Sequence, residues 1–153
     1  MSDALDSLNG LIIPLTAEPL LLPNVAVAEL AGYRLVETAA RGPDWFLGWA
    51  NWRDQRIPLA DAAQLLGQPP LTPDVAPRML IINAVGGDER LRFIALRVAG
   101  IPRSRRVLRG EIGTVAGGSG FVSQVVSLAD EERSLLIPDL AAIEQALAQA
   151  AAQ

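Results

Sequence analysis

The side chains able to do chemistry in this sequence are carboxylates. Its 153 residues hold 17 Asp and Glu and 13 basic residues, every one of them Arg, with no Cys, His or Lys. Without Cys there is no thiolate nucleophile, disulfide framework or Cys-rich zinc site. Without His the commonest metal ligand and general base are missing, and without Lys there is no phosphate-loop lysine or Schiff-base amine. What stays open is acid–base work by paired carboxylates, as in glycoside hydrolysis. The adjacent candidates are Asp88-Glu89 and Asp130-Glu131-Glu132, both in expected hairpin tips, where acids serve turn geometry and solvation. Glu29 follows an apolar strand but has no second carboxylate beside it. Gly117-Gly118-Ser119-Gly120 lacks the following helix that a phosphate cradle needs, because Phe121 to Val126 reads as a strand. No catalytic residue, metal site or cofactor is expected. Arg103, Arg105, Arg106 and Arg109 form either a protected strand edge or an anion site. The net charge of −4 argues against a nucleic-acid partner, since counterion release needs a basic surface.

The elements that would carry these residues are mostly strands. Apolar runs at Leu11–Thr16, Leu20–Pro23 and Val25–Gly32 are separated by turn residues. Trp45 to Trp52 and Arg56 to Leu59 make a hairpin with a polar tip at Arg53-Asp54-Gln55. Asp61 to Leu66 reads as a short helix capped by Asp61 and closed by Gly67. Residues 68–77 carry Pro69, Pro70, Pro73 and Pro77, an extended connection that divides the chain into two β-rich halves. Beyond it, Met79 to Val85 and Leu91 to Val98 form a hairpin apolar on both faces, as a central strand requires. Val107 to Val115 is a weaker strand, the glycines after it a flexible link, and Phe121–Leu128 and Arg133–Ile137 flank the acidic turn. Asp139 caps a closing helix with Leu140, Ile143 and Leu147 on one stripe. Eight or nine short strands and two helical pieces indicate a mainly β domain, closed or nearly closed into barrels.

The stretch Leu11 to Leu22 is broken by Pro14, Glu18 and Pro19, too short for the ~20 apolar residues of a membrane span. Asp3 and Asp6 before it are the wrong sign for a signal peptide, so a cytoplasmic location without membrane insertion is expected. Trp45, Phe46, Trp49 and Trp52 supply four of the seven aromatic residues. Alternation puts Trp45 and Trp49 on one face and Trp52 on the other, which leaves open whether the rings fill a barrel or form a partner hot spot.

The run from Phe46 to Asp61, FLGWANWRDQRIPLAD, resembles the central hairpin of the CheW-like domain family. The order of the rest is similar too. Leu20–Pro23 with Val25, Val27 and Glu29 resembles the family's early strand, Met79–Arg97 its middle hairpin, and Phe121–Leu147 its last hairpin and helix. The likeness covers roughly residues 10–148. It implies one CheW-like domain over residues 10–150 after a tail at 1–9. The implied fold is two small five-stranded β-barrels of the SH3 or OB kind packed around an apolar core, with a short helix and a C-terminal helix.

The resemblance further implies a non-catalytic scaffold. Such a scaffold couples the cytoplasmic tip of methyl-accepting chemoreceptors to the regulatory domain of a CheA-type histidine kinase. The partner-binding positions it points to are Val27, Glu29, Gly48, Asn51, Trp52 and Arg53. Arg53-Asp54 stands where the family has Arg-Gly, Trp52 where it has an aliphatic residue, and Ala17-Glu18-Pro19 where Gly and Tyr are common. These departures resemble accessory members of pilus chemosensory systems, of the ChpC or PilI type. The alternative is a small-ligand binder or carboxylate enzyme using a barrel mouth, which requires Glu29, Asp61 or an acidic tip to line a cavity.

Overall fold

The computed structural model describes residues 7–72 and 76–152. Among the described residues twelve strands form two sheets of six. β1 (Ser7–Ile13), β2 (Leu20–Pro23), β9 (Arg103–Leu108), β10 (Ile112–Ser119), β11 (Val122–Leu128) and β12 (Leu135–Pro138) make the first, in the order β10-β11-β12-β2-β1-β9. β3 (Val27–Gly32), β4 (Glu37–Thr38), β5 (Phe46–Trp52), β6 (Gln55–Asp61), β7 (Arg78–Asn83) and β8 (Phe93–Val98) make the second, in the order β3-β7-β8-β6-β5-β4. The fold is the expected twin β architecture, with six strands per sheet in place of five. The sixth strand of the second sheet is the two-residue β4.

The division of the chain differs from the expected one. Both ends of the chain build the first sheet, and β3 to β8 are inserted between them as the second. The Pro-rich connection therefore joins α1 (Ala62–Leu65) to β7 inside the second sheet. It has no regular structure where described, and residues 73–75 lie outside the described residues. Of the tail expected at 1–9, residues 1–6 also lie outside them, whereas Ser7 to Asn9 belong to β1, opposite Leu108, Val107 and Arg106 of β9. The single weak strand expected at Val107–Val115 is two strands, β9 and β10, bent apart at a 3-10 turn over Arg109–Glu111. The glycines expected to be a flexible link extend β10 through Ser119, and only Gly120, at φ +61°, turns the chain. Gly118 is needed there because a Cβ would stand 2.1 Å from the Val122 carbonyl oxygen of β11.

Strand alternation explains how two barrels share one core. Along β7, Met79 and Ile81 point into the second sheet's own cluster with Ala50, Trp52, Ile57, Leu59 and Ala95. Leu80 and Ile82 point the other way, to join Ile13, Leu20, Leu22, Ile94 and Leu96 between the sheets. β2 repeats the pattern, with Leu21 among Ile12, Val126 and Leu135 inside the first sheet. That two-sided burial is why these strands read as continuous apolar runs. α2 (Leu140–Ala151) closes the shared core with Ile143, Leu147 and Ala150, and the Asp139 carboxylate accepts from Ala142 N at 3.1 Å as the expected cap.

Candidate functional site

The β5–β6 hairpin turns in two residues, with Trp52 opposite Gln55. Arg53 (φ 49°) and Asp54 (φ 62°) both lie in the left-handed region, which is the type I′ turn whose twist suits a hairpin. The turn falls on Arg53-Asp54 and holds two Cβ-bearing residues where glycine is at ease. Asp54→Gly is expected to raise stability by about 1 kcal/mol, the scale of left-handed strain in an L-residue. That corresponds to roughly 2–4 °C in the thermal midpoint of a chain this size, read by calorimetry.

Above this turn the Arg53 guanidinium lies 4.6 Å from the Trp52 ring centre, and its Nη2 donates to Glu29 Oε1 at 3.4 Å. β3, which carries Glu29, and β5 are separated in the sheet by β7, β8 and β6, so this contact requires the sheet to curl on itself. The curl is the barrel. With side-chain exposures of 69% and 41%, the pair adds at most about 1 kcal/mol to stability. Its effect is to hold an exposed planar fork in one place, with Arg53 touching Glu29 through a single nitrogen.

A second clasp lies along the same hairpin. Arg56 lies 4.1 Å over the Trp49 ring and pairs with Glu37 at 2.9 Å. Arg56 stands opposite the exposed Asn51, one step from Trp49 on the same face. The sequence reading passed over Glu37 and Arg56 as site residues and left open whether Trp49 belonged to the core or the surface. The signal was the turn length: a two-residue tip fixes 51 against 56 and brings Arg56 beside Trp49.

The six expected contact residues separate into two groups. Glu29 and Arg53 meet at the end of the second sheet, and Asn51 is exposed on β5 opposite Arg56. Trp52 is buried at 7% exposure and packs edge-on to Phe93 with centroids 4.6 Å apart, so its ring fills the barrel beneath Arg53 and is not a surface hot spot. Val27 packs against the shared core, because a register shift between Val27 and Glu29 puts the two on opposite faces. Gly48 is buried four residues before the turn. At φ +138° it lets β4 pass where a Cβ would stand 1.9 Å from the Glu37 carbonyl oxygen. Of these three, Trp52 lies under the Arg53 guanidinium, Gly48 admits β4 beside the hairpin, and Val27 faces the shared core.

Other charged residues have structural partners. Asp61 sits at the start of α1 but makes no capping bond; fully buried, it accepts from Arg97 Nη2 at 3.1 Å across the parallel β6–β8 pair. Arg103 and Arg105 hold Glu131 at 2.8 and 3.5 Å, and Arg105 also holds Glu111 at 2.9 Å. Within the arginine cluster, Arg103 and Arg105 are thus tied to acidic partners at the sheet edge, and Arg106 donates to the Ser7 hydroxyl at 3.1 Å. Asp88 accepts from Arg90 N at 2.9 Å, the turn role expected of it, and that bond holds its carboxyl below the usual range. An open groove of about 700 Å³ is bordered by Pro14, Ile101, Arg103 and Arg133 and by the acidic tip Asp130-Glu131-Glu132; neither Glu29 nor Asp61 lines it, and within the tip Glu131 is engaged by the guanidiniums of Arg103 and Arg105. None of the described helices is long and apolar enough to cross a membrane.

Twin sheets around a shared core, with an ion-paired hairpin tip and its carboxylates tied to arginines, define a β-rich interaction domain. The CheW-like domain profile matches residues 9–147, and the chain belongs to that family. Among solved structures it is similar to the scaffolding protein TtCheW from Thermoanaerobacter tengcongensis, at 17% identity and a TM-score of 0.71, over 87% of this chain and 84% of that one. That likeness is one of fold. No curated protein matches the chain.

Proposed function

We propose that this chain is a non-catalytic chemosensory adaptor. It acts in the cytoplasm and couples the tips of methyl-accepting chemoreceptors to the regulatory domain of a CheA-type histidine kinase. The observation that carries the reading is the Glu29–Arg53 clasp. Two residues expected from the family pattern to meet partners, 24 positions apart, converge on one exposed tip over a buried Trp. Family membership supports the class of partner. The altered tip, with Arg53-Asp54 on Trp52, supports an accessory role in a type IV pilus array over flagellar coupling. In a repeated lattice each contact can be modest, because engaging two neighbours raises effective concentration. Arg53 supplies forked donors that Lys would not.

The test is titration of the chain with a kinase regulatory domain and, separately, with a receptor-tip fragment. Arg53→Ala is expected to weaken at least one of them by about tenfold, or 1.4 kcal/mol, with the thermal midpoint nearly unchanged. Absence of both interactions in the wild type, or a large stability loss with unaltered binding in the variant, would overturn the reading.

A further inference from the structure

The two sheets do not meet evenly. Beside the shared core a groove of about 270 Å³ stays open between them, with Leu66 and Gly67 on the side of the second sheet and Gly117, Val122 and Val125 on the side of the first. Glu18 and Gln68 also line it, and polar bonds cross between the sheets there. At the end of α1, Gly67 turns left-handed at φ +82°; its N–H donates to Gln64 O at 3.1 Å and that of Gln68 to Ala63 O at 2.7 Å. This double closure of the helix fixes the backbone of Gln68. Its half-buried side chain reaches the β1–β2 turn, where Oε1 accepts from Ala17 N at 2.8 Å and Nε2 donates to Glu18 O at 2.8 Å. Thr16 Oγ1 adds a bond to Pro69 O at 2.6 Å. The same turn is fastened within the first sheet, by Arg133 Nη1 to Ala17 O at 3.0 Å and Leu136 N to Pro19 O at 2.9 Å.

We infer that Gln68 is a positioning residue that locks the two sheets into one seating. A primary amide offers a donor and an acceptor together, which the Ala17 N–H and the Glu18 carbonyl require. A carboxylate would face the Glu18 oxygen with no proton to give, and an apolar side chain of similar size would leave both backbone groups unpaired. Where the groove interrupts the packing, non-directional apolar contact does not set the angle between the sheets, and the directional amide bonds do. The lock joins segments 50 positions apart, each anchored in its own sheet. On the adaptor reading above, a fixed seating is what carries the position of one neighbour to the other; the lock itself does not depend on that reading.

The chain has no Cys, so spin labels can be attached through Arg78→Cys on β7 and Ser127→Cys on β11, both exposed. Pulsed dipolar spectroscopy on the whole chain is expected to give one narrow distance with Gln68 in place and a distribution about twice as broad with Gln68→Leu. Amide exchange at Ala17 should speed up about tenfold in that variant, the scale of one lost hydrogen bond. Gln68→Glu keeps the acceptor for Ala17 N and loses the donor to Glu18 O, so its Ala17 stays protected while its distances widen part of the way. Distances as narrow in both variants as in the unaltered chain would overturn the lock, since the core alone would then set the seating. Coupling is read separately. Each partner titrated singly should bind Gln68→Leu within about twofold of wild type, while assembly of both partners on one chain falls about fivefold. Undiminished assembly despite widened distances would overturn the coupling role and keep the lock. Absence of binding by the wild type would overturn the adaptor reading and the coupling role with it, and the distances would still decide the lock.

Discussion

Gly48→Ala is expected to lower the thermal midpoint by about 10 °C, through a loss of about 3–5 kcal/mol at roughly 2–4 °C per kcal/mol. Two costs combine at this position. Its φ of +138° lies in a region that L-residues rarely adopt, worth roughly 1–3 kcal/mol. A Cβ would also stand 1.9 Å from the Glu37 carbonyl oxygen and 2.9 Å from Ala39 N, so β4 has to move away. Forced backbone shifts of that kind cost roughly 1–3 kcal/mol more. β4 holds Glu37, the carboxylate that orients Arg56 over Trp49, so the second clasp goes with it. The measurement is thermal unfolding together with amide exchange. Protection should vanish first at Val36 and Ala39, whose N–H groups donate to Trp49 and Leu47 of β5. A midpoint within 2–3 °C of wild type, about 1 kcal/mol, would mean the hairpin accommodates a methyl group at Gly48, and that its glycine is not needed for β4 to cross.

Gly48 also shows where the sequence is legible and where it stops. The hairpin itself follows from residue types: aromatic and apolar alternation on both sides of a polar dipeptide. The role of Gly48 does not follow, because β4 is two residues of ordinary composition and only its approach makes the glycine necessary. Val27 and Glu29 fail in a related way. A motif two residues apart reads as one face of a strand, and the register shift between them reverses that, sending Val27 into the shared core and Glu29 to Arg53. Bulges carry no reliable residue signature, so contact assignments made by alternation break wherever one occurs. The glycine run after Val115 misled for the opposite reason. Glycine weakens a strand by propensity, yet the close approach of Val122 and Ser123 admits nothing larger at Gly118. By contrast, two-sided apolar runs such as Arg78–Asn83 and Phe93–Val98 announced central strands correctly, because burial on both faces leaves its mark on every residue.

The site divides along the same line. Glu29 and Arg53 were legible as members of two separate motifs, and their contact was not, since it depends on the sheet curling through β7, β8 and β6. An exposed pair of this kind does little for stability. The aromatic ring beneath it and the carboxylate beside it restrict where the guanidinium can point, and a restricted donor loses less entropy on meeting a partner. Asp61 and Arg97 are the interior counterpart: a fully buried carboxylate tied to a guanidinium that also faces Tyr33 at 5.4 Å. Both the surface and interior pairs join strands that are not neighbours in sequence, which fixes the barrel's shape around the tip.

Glu144→Ala is expected to be the other large loss, about 2–3 kcal/mol and roughly 4–12 °C in midpoint. Glu144 lies on α2 but faces inward, at 6% exposure, and its carboxylate accepts from Val85 N at 2.7 Å and Gly86 N at 2.9 Å in the β7–β8 connection. A helix that follows the first sheet in the chain is thereby latched to a loop of the second. Removing the acceptor strands two part-buried N–H groups, each costing about 1–3 kcal/mol if left dry. An adjoining groove of about 330 Å³, bordered by Gly86, Leu91 and Ala148, admits water and keeps the total toward the lower end. Glu144→Gln restores one acceptor oxygen but turns an amide NH₂ toward the other donor, so it recovers only part of the loss. Amide exchange should rise at Val85 and Gly86 in both variants. Partner titration at a temperature well below the midpoint then separates latch from tip. If contact is made through Glu29, Asn51 and Arg53, Glu144→Ala binds like the wild type while it is folded. A loss of binding at full folding would instead mean that the relative seating of the two sheets is itself part of what the partner recognises.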